Sequence, residues 1–278
     1  MRTLNLYISF NSVGVLVLSV FLISPIFALV LLSFGYSDGL WPHLVNSVLG
    51  KYISNTVLLM LGVGLLSLIF GVSSAWILSC FRFRFSHWLD ILILLPMACP
   101  AYLVAYAYTD VFEYAGPVQK ILRQSMGWES ASEYYFPEIR SMGGAIFVLS
   151  SVLYPYVYLL SRTAFQKIPS SFYEVATLSK KNVFWTVCLP LARPAIVAGT
   201  ALVLMEVVSD FGTVEFFAIE TLTLGIFNVW IGMDSIVGAA QIATVTFAII
   251  MLLLLLEFFG RGDRRFNDTS RSQTLRAP

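Results

Sequence analysis

QKIPSSFYEVATLSKKNVFWTVCLPLARPAI, residues 166–196, is a polar interruption between two hydrophobic stretches, and it carries a pattern of its own. It is too polar to cross a bilayer and too regular to be an idle linker. Pro169 with Ser170 and Ser171 reads as a helix start, because proline fits the first turn and serine oxygens can accept from free N–H groups. Phe172, Tyr173, Val175, Ala176 and Leu178 then form an apolar stripe with Glu174 among them. Lys180-Lys181-Asn182 breaks that stripe. A second amphipathic run follows in Val183, Phe184, Trp185, Val187 and Leu189, and Pro190 and Pro194 are expected to stop it. The pattern predicts two short helices joined by a turn, lying under a membrane with an apolar face exposed. Such a face normally has a partner.

The rest of the chain supplies the membrane. Of 278 residues, 58% are hydrophobic and 12% charged, and the mean hydropathy is +0.81. Soluble domains carry about 25% charged residues, so an integral membrane protein is indicated. About 20 apolar residues cross a bilayer. That rule predicts an all-α fold of six spans, near 10–34, 52–81, 89–112, 141–163, 195–218 and 239–260. The first lacks an obvious cleavage site and is read as a retained span. With the N-terminus cytoplasmic, the outer segments hold only Lys51, Lys120, Arg123 and Arg140 of the 17 Lys and Arg. The positive-inside rule then places both termini and the Glu174 loop in the cytoplasm. Residues 261–278 have the composition of a disordered linker. The net charge of +1 gives no reason to expect a nucleic-acid partner.

Glu174-Val-Ala, a turn, then Val187-Cys-Leu-Pro-Leu-Ala-Arg-Pro resembles the "EAA" loop of ABC importer permeases. Tyr114-Ala-Gly-Pro, Tyr135-Phe-Pro-Glu-Ile-Arg140, Tyr154-Pro-Tyr-Val-Tyr-Leu-Leu160 and Asp210-Phe-Gly-Thr213 are similar to the iron(III) members of that superfamily. The resemblance covers most of residues 50–260. It implies a type I (MetI-like) permease domain over 1–260, with a cytoplasmic coupling loop at 164–195. Glu174, Val175, Ala176, Lys180, Leu189 and Pro190 fall on its ATPase-coupling positions. It further implies two copies of a separate ATPase that binds the ATP, a substrate-binding protein outside, and an inner-membrane location. Fused relatives carry two six-helix halves; this chain matches the first, so a separate second half or a second copy is expected. Two departures stand out: Lys180 occupies the place nearest the family's glycine, and Glu174 to Pro190 is shorter by roughly three residues. Thiamine, sulfate, phosphonate and polyamine importers share the loop. A noncatalytic or degenerate half-permease remains a rival.

The fifth expected span, LMEVVSDFGTVEFF, holds Glu206, Asp210 and Glu215. Glu206 and Asp210 are four apart and would share a helix face. An acid at a bilayer centre costs about 2.5–3.5 kcal/mol on insertion scales, so such residues face a water-filled path or a partner. Iron(III) is hard and favours oxygen. Two readings stay open: the acids line a translocation path, or they cap broken backbone near Gly212 and pair with other helices. Asp110, Tyr102, Tyr106 and Tyr108 are weaker path candidates. The stretch 221–240 reads equally as a re-entrant or a lateral helix.

Pro96, Pro100 and Pro155 are expected to kink helices, and Gly62, Gly64 and Gly71 to permit close packing. Gly116-Pro117 opens a short interfacial helix in the outer connection, residues 113–140. Glu129, Glu133 and Glu138 there either meet a basic patch on a binding protein or are simply solvated. Cys80, Cys99 and Cys188 are scattered without a Cys-x-x-Cys and read as small hydrophobes. His43 and His87 lie far apart, and no metal site is assigned. Gly-x-Ser-x-Gly, His-Glu-x-x-His and the phosphate-binding Gly-x-x-x-x-Gly-Lys are all missing, so no enzyme activity is expected.

Overall fold

The computed structural model describes residues 10–37, 39–81 and 84–261. The expected disordered tail lies outside them. Among the described residues all regular structure is helical. Helices α1 (Phe10–Ser33), α3 (Leu49–Cys80), α7 (Met142–Gln166), α9 (Leu189–Ser209) and α12 (Ile236–Arg261) are the long ones. Each lies within, or supplies, a segment long and apolar enough to cross a membrane. The remaining expected span is broken. Ser86–Ala98, made of α4 (Ser86–Leu94) and a tight turn through Pro96, meets the segment from Ala101 at a 99° bend. That segment holds α5 (Ala101–Phe112) and α6 (Pro117–Met126). Short helices α2 (Leu40–Ser47), α8 (Ser170–Leu178), α10 (Gly212–Phe216) and α11 (Leu222–Phe227) fill the connections.

The centre is the crossing of α3, α7 and α9, the elements with the most extensive mutual packing. Glycine decides how near they come. A Cβ on Gly71 would stand 2.7 Å from the Cβ of Val157, and one on Gly199 would stand 2.9 Å from the Cα of Val157. Two helices therefore press on one residue of α7 at backbone distance, the small-residue packing that membrane helices use in place of a hydrophobic drive. Val157 is fully buried, as are Leu59, Val148 and Val203 around it. Helix α12 packs on α9, and α1 on α12, so α1 sits outermost. A second, smaller core joins Leu44, Tyr52, Leu222 and Ile242.

Two expectations about helix ends need correcting. Pro190 and Pro194 do not stop the loop's second helix. A wide turn over Phe184–Cys188 runs straight into α9, with the Leu189 N–H donating to the Phe184 carbonyl five residues back. Pro190 stands in the first turn of α9, where proline is tolerated, and the wide turn moves the carbonyl that its ring would otherwise strike; Pro194 lies inside α9. The fifth span also ends early, at Ser209 rather than near residue 218. Asp210 has extended backbone there, which releases the chain into α10. The stretch 221–240 resolves into α11, a wide turn over Asn228–Gly232 and the start of α12. Its helical part, Leu222–Gly232, is too short to span.

Prolines at the broken span act as expected. The Tyr154 phenol on α7 donates to the Ile93 carbonyl at 3.0 Å, just before the Pro96 turn. Replacing Gly199 with valine should abolish the folded, monodisperse protein in detergent chromatography. Gly50→Ala should leave it intact, since a Cβ on Gly50 meets nothing within 4 Å. Normal yield of Gly199→Val would refute the close crossing.

Candidate functional site

The loop begins where sequence reading put it. Pro169 precedes α8, and Ser170 is its first residue; the Phe172 N–H reaches the Pro169 carbonyl at 3.2 Å. The serines make no side-chain cap there. Helix α8 divides its stripe between two sides. Ala176 is buried and Tyr173 half-buried against the spans, while Phe172, Val175 and Leu178 stay exposed. Trp185, just after the turn, is exposed too. Glu174 is exposed among them. Leu189 is half-buried and Pro190 exposed in the first turn of α9.

The turn after α8 explains the missing glycine. Lys180 has φ 53°, the left-handed region. The Lys180 N–H bonds the Thr177 carbonyl and the Lys181 N–H bonds the Ala176 carbonyl, both at 3.0 Å. That is a Schellman ending, in which the left-handed position ordinarily takes glycine. Lysine there carries strain of about 1–2 kcal/mol. The next segment starts on Asn182, whose Oδ1 accepts from the Phe184 N–H at 3.0 Å. Sequence reading took Asn182 only as a pattern breaker, although asparagine before an apolar run is itself an N-cap signal.

Tyr173 ties α8 to the spans. The Cys188 thiol donates to its Oη at 3.7 Å, and the Cys80 sulfur lies 3.9 Å from the same oxygen. Burial, followed by the two neighbouring thiols, pushes the Tyr173 phenol far above its ordinary range. The phenol therefore stays protonated. Cysteines that look scattered in sequence thus meet at one atom, which no spacing rule would have signalled.

Deeper in the spans, the helix breaks border a cavity of about 350 Å³. Met97, Cys99, Pro100, Tyr156, Glu206 and Asp210 are among its lining residues. Glu206 and Asp210 do meet here, but not on one helix face. The Asp210 carboxylate accepts from the Thr213 hydroxyl at 3.0 Å and from the Val214 N–H at 3.1 Å. Asp210 thus caps the broken backbone while also facing the cavity. Glu206 is exposed on α9. Glu215 is exposed on α10 and is not among the lining residues. Tyr106 packs on Phe216 with ring centres 4.1 Å apart.

A polar cluster escaped sequence reading. Asp90 on α4 accepts from the Tyr158 hydroxyl at 2.6 Å and pairs with Arg162 on α7. A lone acid inside an apolar run was the available signal. The pair fastens the α4 half of the broken span to α7, just before the chain enters the loop.

The outer connection is built on its own contacts. Tyr134 stacks on Trp128 with ring centres 4.9 Å apart, donates to Gln119 at 2.6 Å and accepts from Arg123 at 2.9 Å. Arg140 pairs with Glu113 at 2.7 Å. Glu133 accepts from the Glu129 N–H at 3.1 Å, a local loop contact.

This architecture is that of a multi-span transport component with a helix pair hung beneath it. The family described as "Binding-protein-dependent transport system inner membrane component" matches residues 67–261, and the chain belongs to it. The Fe(3+)-transport system permease protein FbpB 2 of Haemophilus influenzae is 24% identical over 229 residues, 81% of this chain and 40% of that protein. The chain thus spans less than half of that relative's length. The molybdenum transport system permease protein ModB of Escherichia coli is 27% identical over 210 residues, 72% of this chain and 88% of that protein. A crystal structure of a bacterial alginate ABC transporter in complex with an alginate pentasaccharide-bound periplasmic protein superposes with a TM-score of 0.66. It covers 88% of this chain and 89% of the other at 14% identity. At that identity the likeness establishes the fold, the type I permease fold expected from the EAA-like loop.

Lys180→Gly relieves the left-handed strain at the turn. It should slow amide exchange at Lys180 and Lys181 about fivefold, the equivalent of roughly 1 kcal/mol. Unchanged exchange in α8 and the turn would contradict the strained ending.

Proposed function

We propose that this chain is the membrane-spanning subunit of an ATP-driven importer for ferric iron, coupled to a separate ATPase through the Glu174 loop. One observation carries the reading. A helix pair fixed to the spans by Tyr173 leaves Leu178 82% and Trp185 65% exposed, an apolar edge left uncovered by the described residues. An ATPase seated on that edge from the cytoplasm can transmit its closure to α9 directly, because the loop's second helix and α9 are continuous. Two ATPase copies would need a second permease half or a second copy of this chain. ATP must bind one conformation of the assembly better than the other for transport to be driven.

The cavity at the helix breaks supports a cation. Its charged lining residues, Glu206 and Asp210, are both acids, with no Lys or Arg beside them. Hard cations favour such oxygens, whereas an oxyanion would be repelled. Among the described residues no three His, Cys, Asp or Glu converge as a metal-holding group. A path needs none, because cargo must also leave. The ModB relative keeps an oxyanion such as molybdate as the second reading.

Glu206→Gln and Asp210→Asn test the path. Asparagine retains a capping oxygen, so a loss would isolate the charge. Iron uptake should fall at least tenfold at unchanged protein level, with molybdate unable to compete. Normal iron uptake would remove the path role, and molybdate uptake would favour the second reading. Leu178→Asp combined with Val175→Asp should abolish co-purification of a co-expressed ATPase. Retained ATPase would point to a scaffold whose docking lies elsewhere.

A further inference from the structure

Three elements meet around the Tyr173 hydroxyl. Cys80 is the last residue of α3, Cys188 is the last residue of the wide turn before α9, and Tyr173 comes from α8. Both sulfurs contact the one phenol oxygen, at 3.9 and 3.7 Å. Cys188 is fully buried, while Cys80 is half-buried and so reachable from the loop side. The Trp76 indole, whose N–H is buried without a partner, stands 5.0 Å from the Phe184 ring and closes the cluster. Nothing in the transport chemistry uses a thiol pair at this place. Cys99, exposed at the distant helix break, belongs to no such arrangement.

We propose that Cys80 and Cys188 form a redox-modification site for hydroperoxides, and that its disulfide reversibly arrests transport. The Cys80 thiolate attacks one peroxide oxygen; the O–O bond breaks, hydroxide leaves, and a sulfenic acid forms on Cys80. The Cys188 thiol then attacks that sulfur; as the S–S bond forms, the thiol proton passes to the displaced hydroxyl, which leaves as water. For hydrogen peroxide, two thiols and one oxidant give one disulfide and two waters. A dithiol reductant restores the pair by exchange. The bond staples the end of α3 to the start of α9 and strips Tyr173 of its thiol donor. The loop's root is then held from both sides. Disulfide formation is inferred from the shared contact of both sulfurs with Tyr173, whereas arrest of transport rests on the coupling reading above.

The full complex in proteoliposomes, treated with hydrogen peroxide, alkylated and digested, provides the test. A peptide joining Cys80 to Cys188 is expected, with Cys99 alkylated as before. ATP-driven uptake should fall at least tenfold and return with dithiothreitol. Uptake by Cys80→Ser, compared with its own uptake before treatment, should not respond to peroxide; should it fail to fold, Cys188→Ser is compared in the same way. Full alkylation of both residues after peroxide would overturn the site. A disulfide with undiminished uptake would overturn its regulatory role. Failure of the reduced chain to hold an ATPase would sink the coupling reading and with it the arrest, while the joined peptide would still establish the modification site.

Discussion

A backbone N–H or C=O left without a partner in lipid costs several kcal/mol, and this chain interrupts its spans at more than one place. Each interruption is answered by a named side chain. Asp210 takes up the Val214 N–H, and the Thr223 hydroxyl reaches back to the Val208 carbonyl at 2.6 Å. Thr56 on α3 accepts from the Leu222 N–H at 3.1 Å, and Asn55 donates to the Glu220 carbonyl at 2.9 Å. Tyr154 does the same for Ile93. The breaks are thus held by the unbroken helices α3, α7 and α9, which can do so because glycine lets them cross at backbone distance. The cavity exists because the breaks do.

That arrangement links the middle of the membrane to its edge. Asp90 and Arg162 fix the α4 half of the broken span to α7, whose next turns enter the loop. On the loop's far side the wide turn flows into α9, and α9 carries Glu206 and ends at Asp210. Residues of α7 and α9, the helices on either side of the loop, line the cavity. The shortened loop is consistent with this. Its turn is closed by Lys180 in a conformation that glycine would adopt more easily, so the Schellman bonds of the turn keep their geometry despite the missing glycine.

Much of this was legible in the sequence. The span positions followed from apolar length, and the helix–turn–helix beneath them followed from Pro169 and the break at Lys180. Gly71 and Pro96 announced close packing and a kink. The failures have physical causes. Pro190 and Pro194 read as stops because proline clashes with a regular helix, and the wide turn that carries the chain into Pro190 leaves no mark on composition. The end of α9 was set too late because the stretch past Ser209 stays mostly apolar; the reading of the acids as caps of broken backbone near Gly212 was the signal, and Asp210 does cap that break. Tyr173, Cys80 and Cys188 come from distant parts of the chain, and only the tertiary fold brings them together. Arg162 had no partner legible in the sequence, because Asp90 lies 72 residues away.

The account depends on the exposed edge of α8 facing the compartment where ATP is. Leu178→Cys in a chain whose native cysteines are replaced by serine gives one reporter on that edge. A membrane-impermeant maleimide should label it in inside-out vesicles and leave it unlabelled in right-side-out ones. Labelling from the outside of right-side-out vesicles would contradict the orientation, and with it any ATPase grip on this loop.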